Sequence, residues 1–139
     1  NKGTIVGVSS IAGYRGLPGR SGYSASKYAM NGWLESLRTE LLDSGTNVMW
    51  VCPGFTTSNI RNAALDKAGK PNGETKMAED KMMPAAECAQ HIAKAIAKRK
   101  RTLVLTFTGK RTVFMNKFFP SLTDKLVRKF FYKNGELAK

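Results

Sequence analysis

Two short apolar runs constrain this chain more than anything else in it. Thr4-Ile5-Val6-Gly7-Val8 and Asn47-Val48-Met49-Trp50-Val51-Cys52 are nearly continuous and rich in β-branched side chains, the pattern of strands covered on both faces. Such strands belong inside a parallel sheet, and parallel neighbours need a crossover between them. The intervening residues supply a helix for it. From about Ser21 to Leu42 the apolar side chains Ala25, Tyr28, Ala29, Trp33, Leu37 and Leu41 recur at helical spacing, and Ser44-Gly45 then stops the helix. Gly32 costs such a helix about 1 kcal/mol relative to alanine, which predicts close packing against a neighbour there.

A second crossover follows. Pro84 opens a helix to about Lys98 with Ala85, Cys88, Ala89, Ile92 and Ile96 on one face, and Thr102–Thr106 reads as a third strand. Residues 55–83 have weak periodicity, Gly69, Pro71 and Gly73, and the methionines Met77, Met82 and Met83. A connection that long reads as a lid or binding segment, and adaptable methionines suit an apolar ligand. Beyond Gly109, Thr112–Phe119 and Ser121–Lys133 look like two short amphipathic helices. The fold class is α/β. Three parallel strands with crossover helices do not cover both faces of a sheet, and the first strand begins at residue 4, so the chain reads as the C-terminal half of a doubly wound domain. Residues 1–107 form its sheet-bearing part, with 55–83 as lid, and residues 108–139 form a basic, amphipathic helical tail.

Hydrophobic residues at 42% and charged residues at 24% suit one soluble domain. No stretch approaches the ~20 apolar residues of a membrane span, and the start Asn1-Lys2-Gly3-Thr4 is not that of a signal peptide. Cys52 and Cys88 lack metal-like spacing and read as reduced thiols in a cytoplasmic protein. His91, the only histidine, has no partner cluster for a metal site or triad, so a surface role is expected. The net charge is +13, and it is uneven: residues 1–69 carry 7 basic and 4 acidic side chains, residues 70–139 carry 16 and 6. That asymmetry favours an anionic partner, whether nucleic acid, acidic lipid head groups or a phosphorylated cofactor.

Chemistry gathers around Ser10, Tyr23 and Lys27. Tyr23 and Lys27 are four apart and share a helix face, so the ammonium lies near the phenol and favours the phenolate. A tyrosine tuned that way exchanges a proton with a carbonyl or alcohol oxygen near neutral pH. Ser10, at the carboxyl end of the first strand, can hydrogen-bond the same oxygen. Chance alone gives about 0.4 Tyr-x-x-x-Lys pairs in a chain of this composition, so the weight falls on context. Ser9-Ser10 closes a buried strand, the pair opens the next helix, and Pro53-Gly54 follows the next strand. Ligands of open α/β sheets bind where those strand ends converge.

Three segments together resemble the classical short-chain dehydrogenase/reductase family: Ile5-Val6-Gly7-Val8-Ser9-Ser10-Ile11-Ala12-Gly13, Tyr23-Ser24-Ala25-Ser26-Lys27 and Val51-Cys52-Pro53-Gly54-Phe55-Thr56-Thr57-Ser58. Order and spacing match over residues 1 to about 107, including the thirteen residues from Ser10 to Tyr23. The resemblance implies a Rossmann fold and an NAD- or NADP-dependent oxidoreductase that interconverts a secondary alcohol and a ketone, with an apolar substrate suggested by the methionines. It implies Tyr23 as general acid/base, Ser10 as the group that orients the carbonyl, and Lys27 as the group that lowers the tyrosine pKa and holds the nicotinamide ribose. Pro53, Gly54, the Thr56 backbone and Ser58 would line the cofactor, Ser58 standing where the family has threonine. The family's Gly-rich phosphate loop, its adenosine-ribose selector and its catalytic asparagine have no counterpart here. On that resemblance about 120 residues of the fold would precede residue 1, and this polypeptide alone would be inactive. A homo-oligomer is also implied, with the helix from Tyr23 as contact surface.

The tail adds a choice. Leu122, Leu126, Val127 and Phe130 form an apolar face while Lys125, Arg128, Lys129 and Lys133 point elsewhere. Such a helix covers a substrate pocket, packs in an oligomer, or lies peripherally on an anionic membrane. The alternative to an enzyme is a non-catalytic module that binds nucleic acid or a membrane surface. Net charge favours nucleic acid, but no recognition helix, zinc knuckle or aromatic-basic RNA motif accompanies it.

Overall fold

The computed structural model describes residues 2–58, 69–70 and 82–137. Most of the expected lid, Met77 included, lies outside the described residues. Strands β1 (Thr4–Val8), β2 (Asn47–Cys52) and β3 (Thr102–Val104) form a parallel sheet in the order β1-β2-β3. Helix α1 (Ser21–Glu40) joins β1 to β2, and α2 (Ala85–Ala97) precedes β3. Helices α3 (Phe107–Phe118) and α4 (Pro120–Phe131) follow, and a hairpin of β4 (Tyr132–Lys133) and β5 (Glu136–Leu137) closes the described chain.

Strand β2 is the core. From Val48 to Cys52 every residue is buried, and alternation divides them between two faces. Val48, Trp50 and Cys52 pack with Leu34 of α1, while Met49 and Val51 pack with Ala95 and the neighbouring Ile92 and Ile96 of α2. The two helices therefore lie on opposite faces of a sheet that runs in one direction, so the two crossovers have opposite hands. One of them departs from the usual right-handed rule. Both faces of β2 are thereby covered. Strand β1, expected to be covered on both faces, lies at the edge of the described sheet with Ile5 38% and Val8 56% exposed, so the three strands leave part of the sheet uncovered, as expected.

Helix α1 turns inward on a stripe that shares only Leu37 and Leu41, both packed against the core, with the one its apolar residues suggest. Ser24, Asn31 and Leu34 are buried, whereas Tyr28 and Trp33 are 47% and 61% exposed. Two of the inward residues are polar, so hydropathy alone picks the wrong side. Gly32 has nothing within 4 Å of where a Cβ would stand, so no neighbour packs there. The close approach occurs at Gly7, where a Cβ would run into Leu34 Cδ1. The helix ends through a short 3-10 turn, Leu42–Ser44, and Gly45 at φ 75°, a left-handed conformation that glycine adopts without steric cost. Trp50 donates its indole N–H to the Tyr14 hydroxyl at 2.7 Å, and the Arg38 guanidinium sits 4.4 Å from the Trp50 ring centroid. Burial raises the Tyr14 phenol above its ordinary pKa, partly offset by the Trp50 bond.

The tail starts earlier than its sequence suggests, because the Thr106 side chain caps α3 by accepting from Gly109 N at 3.0 Å. Arg15 then pins it, pairing with Asp124 at 2.6 Å and donating to Asn116 Oδ1 at 3.1 Å, while Asn116 Nδ2 donates to the Tyr14 carbonyl at 2.8 Å. The hairpin turn holds Asn134 at φ 51° and Gly135 at φ 83°, and Leu137 packs over Gly19. Both cysteines are buried and free, and His91 is exposed, 3.7 Å from Glu87 on the next turn of α2.

Leu34→Ala is expected to lower stability by about 2–5 kcal/mol, because the side chain fills the space between α1 and the sheet, over Gly7 of β1 and Val48, Trp50 and Cys52 of β2. Gly32→Ala should raise it by roughly 0.5–1 kcal/mol; urea denaturation of both variants checks the pair. Cys52 offers a test by pH. Burial pushes its thiol from 9.0 up to about 11, with Lys27 drawing it down in part, so its raised folded-state value contributes stability below pH 9 that is lost as pH climbs toward 11. The stability difference between the native protein and Cys52→Ala should shrink across that window.

Candidate active site

The parallel strands end on one edge of the sheet, and the residues singled out for chemistry collect there. Ser9 continues β1 by donating its N–H to the Val51 carbonyl at 2.8 Å. Its hydroxyl donates to Asn31 Oδ1 at 2.6 Å, and Asn31 Nδ2 donates to the Gly13 carbonyl at 2.9 Å. These buried bonds clamp the turn at Ile11–Gly13 to the middle of α1. The fit is close: a Cβ at Gly13 would stand 2.8 Å from the Lys27 carbonyl.

Clamped this way, α1 delivers Lys27 and Tyr23 to the end of β1. Lys27 Nζ donates to the Val8 carbonyl at 2.9 Å and lies 5.7 Å from the centroid of the Tyr23 ring. Tyr23 is 46% exposed, so its hydroxyl is open to a ligand. Lys27 also stands close enough to Cys52, at the end of β2, to bias the thiol toward thiolate against the larger effect of burial. Ser10 lies two residues beyond the Val8 carbonyl. Its Oγ accepts from Ala12 N at 3.2 Å, which occupies a lone pair and leaves the hydroxyl proton free to donate.

The end of β2 supplies the opposite wall. Gly54 sits at φ 82°, and a Cβ there would lie 2.5 Å from Thr106 Cγ2, so the Pro53-Gly54 turn demands glycine on both conformational and steric grounds. Beyond it the chain runs beside Met83, with Met83 N donating to the Phe55 carbonyl at 3.1 Å and Thr57 N to the Met83 carbonyl at 3.0 Å. Among the described residues Thr56 Oγ1 is buried without a hydrogen-bond partner. Such an atom is costly to leave unpaired, and a polar ligand at this edge would satisfy it. Ser58 is exposed. Among the described residues no group of three metal-ligating side chains occurs, and no helix is long and apolar enough to cross a membrane.

Ser9 and Asn31 escape a reading of the sequence by motif. Their signal is the spacing of Ser24, Lys27, Asn31 and Leu34 along one helical stripe, in which polar residues face the sheet.

Comparison with known proteins agrees with this geometry. The model of the family described as short chain dehydrogenase matches residues 1–69. The chain is 33% identical over 127 residues to "Dehydrogenase/reductase SDR family member 7B" of Mus musculus, covering 91% of this chain and 39% of that relative. It thus spans about two fifths of the length of that protein. Among solved structures, a short chain dehydrogenase from Burkholderia cenocepacia in complex with NADP superposes with a TM-score of 0.72 at 18% identity, over 91% of this chain and 48% of that one. A short chain dehydrogenase/reductase from Burkholderia phymatum in complex with NAD gives 0.63 at 22% identity, over 88% and 49%. At those identities the structures speak for the fold, which is Rossmann-like, while the family follows from the sequence matches. This chain belongs to the short-chain dehydrogenase/reductase family.

Proposed function

We infer that the full-length protein is an NAD(P)-dependent oxidoreductase that interconverts a secondary alcohol and a ketone. One observation carries this reading: an ammonium anchored on the last carbonyl of β1 beside an exposed phenol, at the carboxyl edge of a parallel sheet. Family membership and the NADP and NAD held by the two structural neighbours support it. The residues at the edge suit a nicotinamide. Lys27 would meet the ribose, Pro53 and Gly54 would flank the ring, and Thr56, with its unpaired hydroxyl, and Ser58 would meet the polar groups around it. The cofactor, when bound, supplies or accepts the hydride.

The chain's own residues handle the oxygen. In reduction the Tyr23 hydroxyl gives its proton to the carbonyl oxygen as charge develops there, and in oxidation it takes the proton back. Ser10, fixed through its lone pair, donates to the same oxygen and orients it. The fixed ammonium of Lys27 stabilises negative charge on the phenol oxygen while the proton is away. Phe55, exposed beside Met83, gives an apolar substrate a surface to rest on. Residues 1–139 contain no glycine-rich phosphate loop, so the activity is read as that of the full-length protein and not of these residues alone. Self-association through the outward face of α1, where Tyr28 and Trp33 stand exposed, completes the reading; Trp33→Glu should lower the sedimenting mass.

Tyr23→Phe in the full-length protein should cut NAD(P)H-dependent ketone reduction by about a hundredfold or more, with cofactor binding retained by fluorescence titration. Undiminished turnover in that variant would remove the proposed acid/base. Lys27→Met should weaken both turnover and cofactor binding.

A further inference from the structure

Helix α4 carries two adjacent stripes with different fates. Thr123 is buried and Val127 and Phe131 are half-buried, four apart along the face that packs on the molecule. Leu122, Leu126 and Phe130, one position earlier at each turn, stand exposed, Phe130 at 75%. On the flank away from the packed face come Lys125 and Lys129, three residues after Leu122 and Leu126. Lys125, Arg128, Lys129, Tyr132 and Gly135 line an open depression of about 360 Å³, with the Arg128 guanidinium 5.8 Å from the Tyr132 ring centroid. No acid lines it. Residues 107–137 carry seven lysines and arginines against two acids, and one of those acids, Asp124, is paired with Arg15.

We propose that this face of α4 docks on an anionic phospholipid surface, with Leu122, Leu126 and Phe130 in the acyl boundary and head-group phosphate over Lys125 and Lys129. At 12 residues α4 is too short to span, and a helix with an apolar stripe edged by cations lies in the plane of the interface. Charge selects this occupant. A second copy meeting this patch through a two-fold contact would set its two lysines against the same two. A nucleic-acid backbone would satisfy the cations but leave the apolar stripe in water. The proposal is independent of the reaction read at the sheet edge.

The test is flotation of the full-length protein with vesicles of phosphatidylcholine, with and without phosphatidylserine. Recovery with the phosphatidylserine vesicles, falling as salt rises, is expected. Lys125→Gln/Lys129→Gln should lose roughly twenty-five-fold in affinity, about fivefold for each cation. Phe130→Ser should weaken binding, and because its ring meets the half-buried Phe131 edge-on at a centroid distance of 5.2 Å, Leu122→Ser, at the other end of the stripe, should weaken it too while the melting temperature stays unchanged. No recovery, equal recovery with both vesicle types, or native recovery by the double lysine variant would each overturn the proposal. So would binding of inorganic phosphate or random DNA without vesicle recovery, or a dimer that Phe130→Ser splits.

Discussion

An amide buried inside a helix must find partners at both ends, and Asn31 finds them on one loop. It accepts from the Ser9 hydroxyl and donates to the Gly13 carbonyl, both bonds buried. Losing either would leave a buried polar group unpaired at a cost of about 1–3 kcal/mol. The pair therefore sets both the rotation of α1 and its height against β1. Lys27 stands one turn before Asn31 and Tyr23 about two turns before, so the same two bonds decide where the ammonium and the phenol arrive. Gly13 makes the contact feasible by presenting no Cβ to the Lys27 carbonyl. The site geometry is thus a consequence of a structural hydrogen bond that takes no part in the chemistry.

The partner of Lys27 shapes its electrostatics. Its hydrogen bond goes to the Val8 carbonyl, a neutral dipole that holds the ammonium in position without cancelling its charge. A carboxylate there would fix it equally well but neutralise its action on Tyr23. Beneath it, Cys52 shows how dry the strand end is, since the thiol is pushed up to about 11 although a cation lies near. The site is built where a buried β2 meets open solvent across a single residue layer, and fixed charges act strongly at such a boundary.

Much of this was legible in the sequence, and the failures have physical causes. Asn47–Cys52 reads as a buried strand and is one, because unbroken apolar runs have few other uses in a small domain. Tyr23 and Lys27 come together as helical spacing requires. The inward face of α1 misleads because Ser24 and Asn31 face the sheet for hydrogen bonds that hydropathy cannot see, while Tyr28 and Trp33 remain outside. The opposite hands of the two crossovers violate a statistical rule that no local pattern overrides. The terminal hairpin was within reach, since Asn134-Gly135 is the dipeptide that a two-residue turn with positive φ prefers. Thr106 as the cap of α3 was equally visible, but the apolar pattern drew the helix start to Thr112.

Exposed apolar area on two helices does not mean the same thing on each. Tyr28 and Trp33 of α1 stand on a helix whose Lys27 and Arg38 are matched in number by Glu35 and Glu40, so covering that face rewards apolar contact alone. The stripe on α4 stands beside Lys125 and Lys129, with the one acid of that helix turned to Arg15. Burying a large apolar side chain contributes about 1.5–3 kcal/mol, and a cation near an anionic surface about 1 kcal/mol. Across three apolar side chains and two flanking cations the apolar share on α4 is the larger, and charge decides among apolar partners. A partner without negative charge forfeits about 2 kcal/mol of the attraction, whereas a surface that is apolar below and anionic above answers both in the order in which the helix presents them.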